Sequence, residues 1–547
     1  LYSVFTGFSS DYQDLVYRNK KLIMEVAMTS EINTLGHRLN RLSEKSRYTR
    51  DFTLKSLTKA LVEVIAFFPV YRTYINGIDV KERDRQYIDV AVSRAKRHNP
   101  ATSGSIFDFL RDVVLLRFPP YSSDADKEEQ LDFVMRFQQI TGPVMAKGVE
   151  DTTFYVYNRL VSLNEVGASP DRFGTSLDTF HGQNIERCKF WPHALITTST
   201  HDTKRGEDVR ARINVLSEIP PSWREHLVAW SKLNRRKKVV VDGQPVPDRN
   251  EEYLFYQTLI GSWPAGSLSD AALFDIYKQR IKDYMVKAIR EAKTHSSWIN
   301  PNTLYEEAVM IFMETVLSNS PDNHFLSDFV PFQELISLYG RYNSLSQALL
   351  KITSPGVPDF YQGSELWDFT LVDPDNRGPV DYTVRKAMLE AIKKRESEVP
   401  LLRLAREVMA DGMNGKTKLY VIYKALNYRK AHRVVFEKGG YTFLQVIGEK
   451  ERHVCAFARR FGDATVLAAV PRFFMTLARE HGLASPGENV WADSLVALPA
   501  DGAGMRYHNI FTGETLETAN HKGVTGLQCS EIFGNFPVAL LEKQMER

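Results

Sequence analysis

Cysteine is scarce in this chain: Cys188, Cys455 and Cys529 are the only three in 547 residues. An odd number at wide spacing excludes a disulfide framework and points to reduced thiols in a cytoplasm. No apolar run is long enough to span a membrane, and no signal peptide stands at the start. An excess of one charge is also lacking. The net charge of +3, from 70 basic and 67 acidic residues, gives a nucleic-acid partner no electrostatic footing. There is no glycine-rich phosphate loop and no Cys–His metal spacing, so neither a cofactor nor a metal is expected. What remains is a globular composition, 43% hydrophobic and 25% charged. The length suits roughly two to four domains. The chain opens in mid-pattern, with Val4-Phe5-Thr6-Gly7-Phe8 directly after Leu1, and reads as a cut rather than a natural beginning.

Residues 1–138 read as a helical domain. Ile32, Leu35, Leu39 and Leu42 form one apolar stripe, and Leu54, Leu57, Leu61 and Ile65 repeat it before Pro69. Further helices are expected over 81–97 and around Phe107, Leu110 and Val114. The basic residues Arg38, Arg41, Lys45, Arg47 and Arg50 read as a solvated face, with a docking surface as the alternative, because Glu31, Glu44 and Asp51 are interleaved. Residues 139–400 read as strand–helix units with a charged helical insertion at about 217–330. Within that insertion Arg235-Arg236-Lys237-Lys238 reads as a solvated turn. Residues 401–547 read as a linker helix followed by a β-sandwich domain, with strands over 441–446, 453–458 and 464–470.

The chemistry concentrates at strand ends. Ala194-Leu195-Ile196-Thr197-Thr198-Ser199-Thr200 reads as a buried parallel strand that runs into His201, Asp202, Lys204 and Arg205, with a helix from about Asp208. In a barrel of parallel strands that end is the working end. Two other readings stand beside this one. Asp202 is the N-cap of the following helix, or His201-Asp202 is the metal-binding pair of a helical phosphohydrolase, with His181 and His193 nearby but at the wrong spacing. A second short strand is expected to end at Lys147, Glu150 and Asp151. A third unit offers Tyr361, Glu365, Asp373, Asp375 and Arg377. For Asp375 and Arg377 a structural salt bridge is the alternative. Carboxylates, a histidine and aromatic rings around one mouth suit a sugar.

These residues also carry a resemblance. Thr198-Ser199-Thr200-His201-Asp202-Thr203-Lys204-Arg205-Gly206-Glu207-Asp208 resembles the segment around the last catalytic Asp of the maltooligosyltrehalose synthases. These enzymes form a branch of the α-amylase superfamily (glycoside hydrolase family 13). Ala146-Lys147-Gly148-Val149-Glu150-Asp151-Thr152, Leu163-Asn164-Glu165-Val166-Gly167, the 355–366 stretch, Asp373-Pro374-Asp375-Asn376-Arg377 and Phe68-Pro69-Val70-Tyr71-Arg72-Thr73-Tyr74 are similar to it as well. The resemblance implies a (β/α)8 barrel of the α-amylase type of which only the later strands are present. It also implies a helical insertion domain and a C-terminal antiparallel β domain. The implied substrate is a maltooligosaccharide or α-1,4-glucan, whose reducing-end linkage becomes an α,α-1,1 trehalosyl end by intramolecular transfer. A maltooligosyltrehalose trehalohydrolase is the implied functional partner. By resemblance Asp202 is the third catalytic carboxylate and His201 binds the same sugar ring. Lys147, Glu150, Lys204, Arg205, Tyr361 and Asp375 are implied substrate contacts.

The first 140 residues offer no nucleophilic Asp or acid/base Glu at a strand end, so these two groups are expected upstream of Leu1 and this chain alone is expected to be inactive. Ser169-Pro170 and Arg377-Gly378 depart from the Asp-Pro and Arg-Arg expected by resemblance. Two other functions compete: a different α-glucan hydrolase or transglycosylase, and a glucan-binding protein without catalysis.

Overall fold

The leucine spacing near the start of the chain is enough to build its first layer. In the computed structural model, which describes residues 1–77, 79–264, 270–479, 490–498, 504–521 and 523–544, Ile32, Leu35, Leu39 and Leu42 all lie buried on helix Thr29–Glu44. Helix Leu54–Ala66 buries Leu57, Leu61 and Ile65 and stops before Pro69. Helices Glu82–His98 and Gly104–Val114 follow where the periodicity places them. Their apolar faces share one core with Phe133 and Phe137 of helix Asp124–Met145. The basic face is paired rather than bare: Lys45 Nζ lies 2.6 Å from Asp126, and Arg38 pairs with Asp132. These helices belong to a unit made of residues 2–159 and 286–306. Residues 160–285 and 307–547 form, with Leu1, a second unit.

The expected strand ending at Lys147, Glu150 and Asp151 is not there. Helix Asp124–Met145 instead runs on and widens into a π-helical turn over Ala146–Thr153. The cause is local. A Cβ at position 148 would come within 2.9 Å of Lys20 Cα on helix Tyr12–Val26, so only glycine allows this approach. The Thr152 and Thr153 hydroxyls donate to the carbonyls of Lys147 and Gly148, five residues back, at 2.8 Å each. Those bonds hold the widened turn, which the apolar-then-charged pattern does not distinguish from a strand end.

In the second unit β1 (Leu195–Ile196) is followed by a hairpin of β2 (Val239–Val241) and β3 (Gln244–Val246). β4 (Val357–Pro358) pairs parallel with β1, Leu195 opposite Val357. The sequence predicts β1 as a buried strand, yet Leu195 is 71% exposed. With β4 as its one sheet neighbour among the described residues, β1 lacks the second flank that buries a parallel strand. The turn at 235–238 also differs from expectation. Arg235 and Arg236 are exposed, but the half-buried Lys238 turns its side chain inward, with Nζ 2.8 Å from the buried Glu252 carboxylate.

The C-terminal strands form the expected sandwich. They are β5 (Gly440–Leu444), β6 (Val446–Ile447), β7 (Val454–Phe461), β8 (Ala464–Pro471), β9 (Leu495–Ala497), β10 (Arg506–Asn509), β11 (Thr515–Glu517), β12 (Ala519–His521), β13 (Val524–Gln528) and β14 (Ala539–Lys543). One antiparallel sheet has the order β11-β10-β14-β8-β7-β5 and the other β12-β13-β9-β6. The period of two along β7 shows how the layers are glued. Val454, Ala456 and Ala458 pack between the sheets. Cys455 and Phe457 point the other way, into a core shared with Leu345 and Leu349 of helix His324–Thr353 and Tyr420 of helix Lys416–Ala431. Burial on both faces explains why β7 and β8 read as continuous apolar runs.

Candidate active site

The loop that leaves β1 turns tightly because its threonines and serine bond their own backbone. The Thr203 hydroxyl accepts the Thr200 N–H and donates to the Thr200 carbonyl, both at 2.6 Å. This turn lifts His201 and Asp202 into solvent, with the Asp202 side chain 57% exposed. Asp202 is not a helix cap. Gly206 holds the N-cap position of helix Glu207–Val215, and the Ser199 hydroxyl accepts the Glu207 N–H at 3.0 Å in place of a capping side chain. Lys204 is buried, yet its Nζ lies 3.8 Å from Asp202 Oδ1, a positive charge beside the exposed acid.

Two further segments lock the loop. Glu165 accepts the Lys204 N–H with both oxygens, at 2.9 and 3.1 Å, and the Arg205 N–H at 3.4 Å. Arg210 stands 3.6 Å from the same carboxylate. From the other side the Asn376 amide donates to the His201 carbonyl at 3.2 Å and, at longer range, to Thr200 and Thr203. The Tyr361 hydroxyl donates to the Asn376 carbonyl at 3.0 Å. Arg205 is fully buried and donates to the Val161 carbonyl at 3.2 Å and the Tyr284 hydroxyl at 2.7 Å. Asp375 faces Arg280 in a two-pronged pair at 2.8 and 2.7 Å and also accepts the Leu371 N–H at 2.8 Å. Arg377 pairs with Asp373 at 2.5 Å. Asp375 and Arg377 thus each have a salt bridge, but not with each other.

Beneath the loop lies a buried ionic floor. Lys418 Nζ is 2.6 Å from Glu207 and 2.8 Å from Asp208, and Lys351 approaches Glu207 at 3.4 Å. Burial alone would raise the Glu207 pKa, but the two lysines overcome it and hold the carboxyl at about 2. Lys418 is shifted the opposite way: burial would lower its pKa, and Asp208 and Glu207 raise it. Asp368 donates its N–H to Asp208 at 2.6 Å, and burial pushes its own carboxyl up. Ile196, Thr198 and Lys351 line a cavity of about 630 Å³ that extends to Glu218 and Arg472. Burial pushes the Glu218 carboxyl up to about 7, although it accepts the Thr476 N–H at 2.9 Å.

The sequence-predicted residues therefore divide. His201, Asp202, Lys204, Arg205, Tyr361 and Asp375 gather around one loop, with only the first two exposed and Arg205 and Asp375 engaged by protein partners. Lys147 and Glu150 lie in the helical unit. There Lys147 pairs with Asp151 at 2.6 Å, and the buried Glu150 accepts a hydrogen bond from Tyr71. The phosphohydrolase arrangement of ligands on packed helices is not formed by these histidines. His181 Nδ1 lies 2.7 Å from the Tyr441 hydroxyl, its pKa lowered by burial, while His193 and His201 are exposed loop residues. Glu165 and Asn376 lie in motifs that carry the resemblance, yet the sequence implies no role for either. The only local signals are a lone acid in the Asn164–Gly167 turn and an amide next to Asp375, and their partners lie 39 and 175 residues away.

No model of a known protein family matches the chain. A curated Mycobacterium tuberculosis protein named for maltooligosyl trehalose synthase is 38% identical over 371 residues, 67% of this chain and 43% of that protein. The chain is a homologue of the maltooligosyltrehalose synthases. The solved maltooligosyltrehalose synthase of Arthrobacter ramosus superposes with a TM-score of 0.77 at 29% identity, over 99% of this chain and 60% of its own. The DSM5389 glycosyltrehalose synthase gives 0.68 at 29% identity, over 99% and 57%. The chain thus spans less than half the length of the curated relative. No helix among the described residues is long and apolar enough to cross a membrane.

Proposed function

We propose that this chain is the part of a maltooligosyltrehalose synthase that carries the transition-state-stabilising carboxylate. The observation that supports it most is the placement of Asp202: exposed at the end of a parallel strand, next to His201, in a loop fixed on both sides by Glu165 and Asn376. In the proposed reaction Asp202 grips hydroxyls of the distorted sugar and stabilises the oxocarbenium-like charge, while His201 binds the same ring. Lys204, held beside Asp202, orients that carboxylate. Tyr361 and Asp375 shape the wall through Asn376 and Arg280. The nucleophile and the acid/base are assigned to the portion of such enzymes that these 547 residues do not span. β1 and β4 are then two strands of an amylase-type (β/α)8 barrel.

The overall change is an isomerisation. The reducing-end α-1,4 bond is cleaved through a glycosyl-enzyme intermediate, and the released glucose turns in place so that its anomeric hydroxyl accepts the chain. Exclusion of water is the condition for transfer to beat hydrolysis. The product is the substrate of a hydrolase that releases trehalose, and a cytoplasmic setting fits reduced thiols.

Incubating the complete gene product with maltohexaose tests this reading. Reducing ends should disappear while free glucose stays a minor product. Stoichiometric glucose release would replace the proposal with an α-glucan hydrolase or transglycosylase, and binding without turnover with a glucan-binding protein.

A further inference from the structure

The helical unit contains a cavity that the catalytic reading leaves unused. It has a volume of about 570 Å³, within the range of small-ligand sites, and is lined by the ends of helices Thr29–Glu44 and Gly104–Val114 and by the segments that follow them. Phe52, which lines it, lies at one end of helix Leu54–Ala66; Tyr71, which bonds Glu150, lies beyond the other end. A helix of that length separates the two places by roughly 20 Å.

The lining is chemically specific. The floor is aromatic: Phe52 and Phe109, with ring centroids 6.0 Å apart, and Phe118 beside them. At the mouth stand Tyr48 and Tyr121, 72% and 67% exposed. Exposed aromatic rings over an apolar floor suit a ligand with flat apolar patches, which at Tyr48 would share the ring with the Arg47 guanidinium, 4.7 Å from its centre. Three carboxylates also line the cavity, and each pairs with a cation, although Lys45 is shared between Asp126 and Glu129. Asp126 pairs with Lys45 at 2.6 Å, Asp112 with Arg117 at 2.9 Å, and Asp108 with Lys96. Both lining cations, Lys45 and Arg117, are held by carboxylates, which leaves neither free to select a phosphate. What remains is a set of fixed, paired donors and acceptors around aromatic faces, which matches a neutral polyhydroxylated ring with apolar C–H faces.

We propose that this cavity is a second carbohydrate site, in the helical unit, binding α-1,4-linked glucan through residues other than those of the His201–Asp202 loop. That the sugar is an α-glucan rests on the proposed function. A site of this kind holds a long substrate at a second point and raises its local concentration at the reacting end.

The test is a maltoheptaose titration of the whole 547-residue chain read by amide hydrogen exchange. Protection over 42–52 and 105–122 is expected. The double variant Tyr48→Ala/Tyr121→Ala should weaken it at least about tenfold. Tyr48→Phe/Tyr121→Phe, which keeps both rings, should retain it. Any protection over 197–206 should be unchanged in both variants. No protection at the helical segments would overturn the proposal, as would protection produced by inorganic phosphate instead of the glucan, or protection untouched by the Ala pair. The maltohexaose product assay decides the catalytic reading separately, so the two can fail independently.

Discussion

Asp202 and the Glu207–Asp208 pair are neighbours in sequence and opposites in environment. Asp202 is 57% exposed, with one lysine at 3.8 Å. Glu207 and Asp208 are each 2% exposed and share the buried Lys418 at 2.6 and 2.8 Å. The difference teaches which acids a fold spends on itself. A carboxylate taken out of water must be matched by a close counter-charge and is then unavailable to a ligand, whereas one left in water beside a single cation keeps its acceptor sites open.

The contrast can be broken most strongly at Lys418. Lys418→Met removes the one cation within 3 Å of both carboxylates, leaving Lys351 3.4 Å from Glu207, and should cost about 3–5 kcal/mol; chemical denaturation reads it, and a loss below about 1 kcal/mol would mean that the floor is not ionic. Next is Glu165→Gln, which removes the charge from the bonds to Lys204 and Arg205. It should cost about 1.5–3 kcal/mol and speed hydrogen exchange at 204–206; unchanged exchange there would free Glu165 of its positioning role.

A pH titration sharpens the same comparison, because two glutamates, the buried Glu207 and the half-buried Glu218, shift in opposite directions. Glu207, held at about 2, contributes stability above the ordinary carboxylate range, which is lost as pH falls toward 2. Glu218 is raised from 4.5 to about 7, so the folded state binds more protons and is weakened as pH rises between these values. Glu218→Gln should therefore raise the unfolding temperature at pH 8 and leave it nearly unchanged at pH 4. An equal effect at both would contradict the shift. The smallest effect belongs to Asp202→Asn, which should change stability by less than about 0.5 kcal/mol, as exposed substitutions do.

These contrasts also mark where sequence reading works. The stripe Ile32–Leu35–Leu39–Leu42 and the strands around 441–470 were legible because burial imposes a period, and a period is visible in one dimension. The exposed Asp202 was legible through its position after an apolar run. The turn at 146–153 was not, because it depends on Gly148 meeting Lys20. Nor were the partners of Asp375 and Asp208: Arg280 and Lys418 come from 95 and 210 residues away. Periodicity reports which face is buried, and long-range charge pairing leaves no periodic trace. The pairing of Lys238 with Glu252 inside an apparently solvated run is the same failure on a shorter scale.

The most direct measurement is the turnover of maltohexaose by Asp202→Asn in the complete gene product, compared with its unfolding midpoint. The account predicts a fall on the order of 10³-fold, as for removal of a group that acts in the transition state, with the midpoint unmoved. Near-normal turnover, or a loss that merely follows a lowered midpoint, would contradict it.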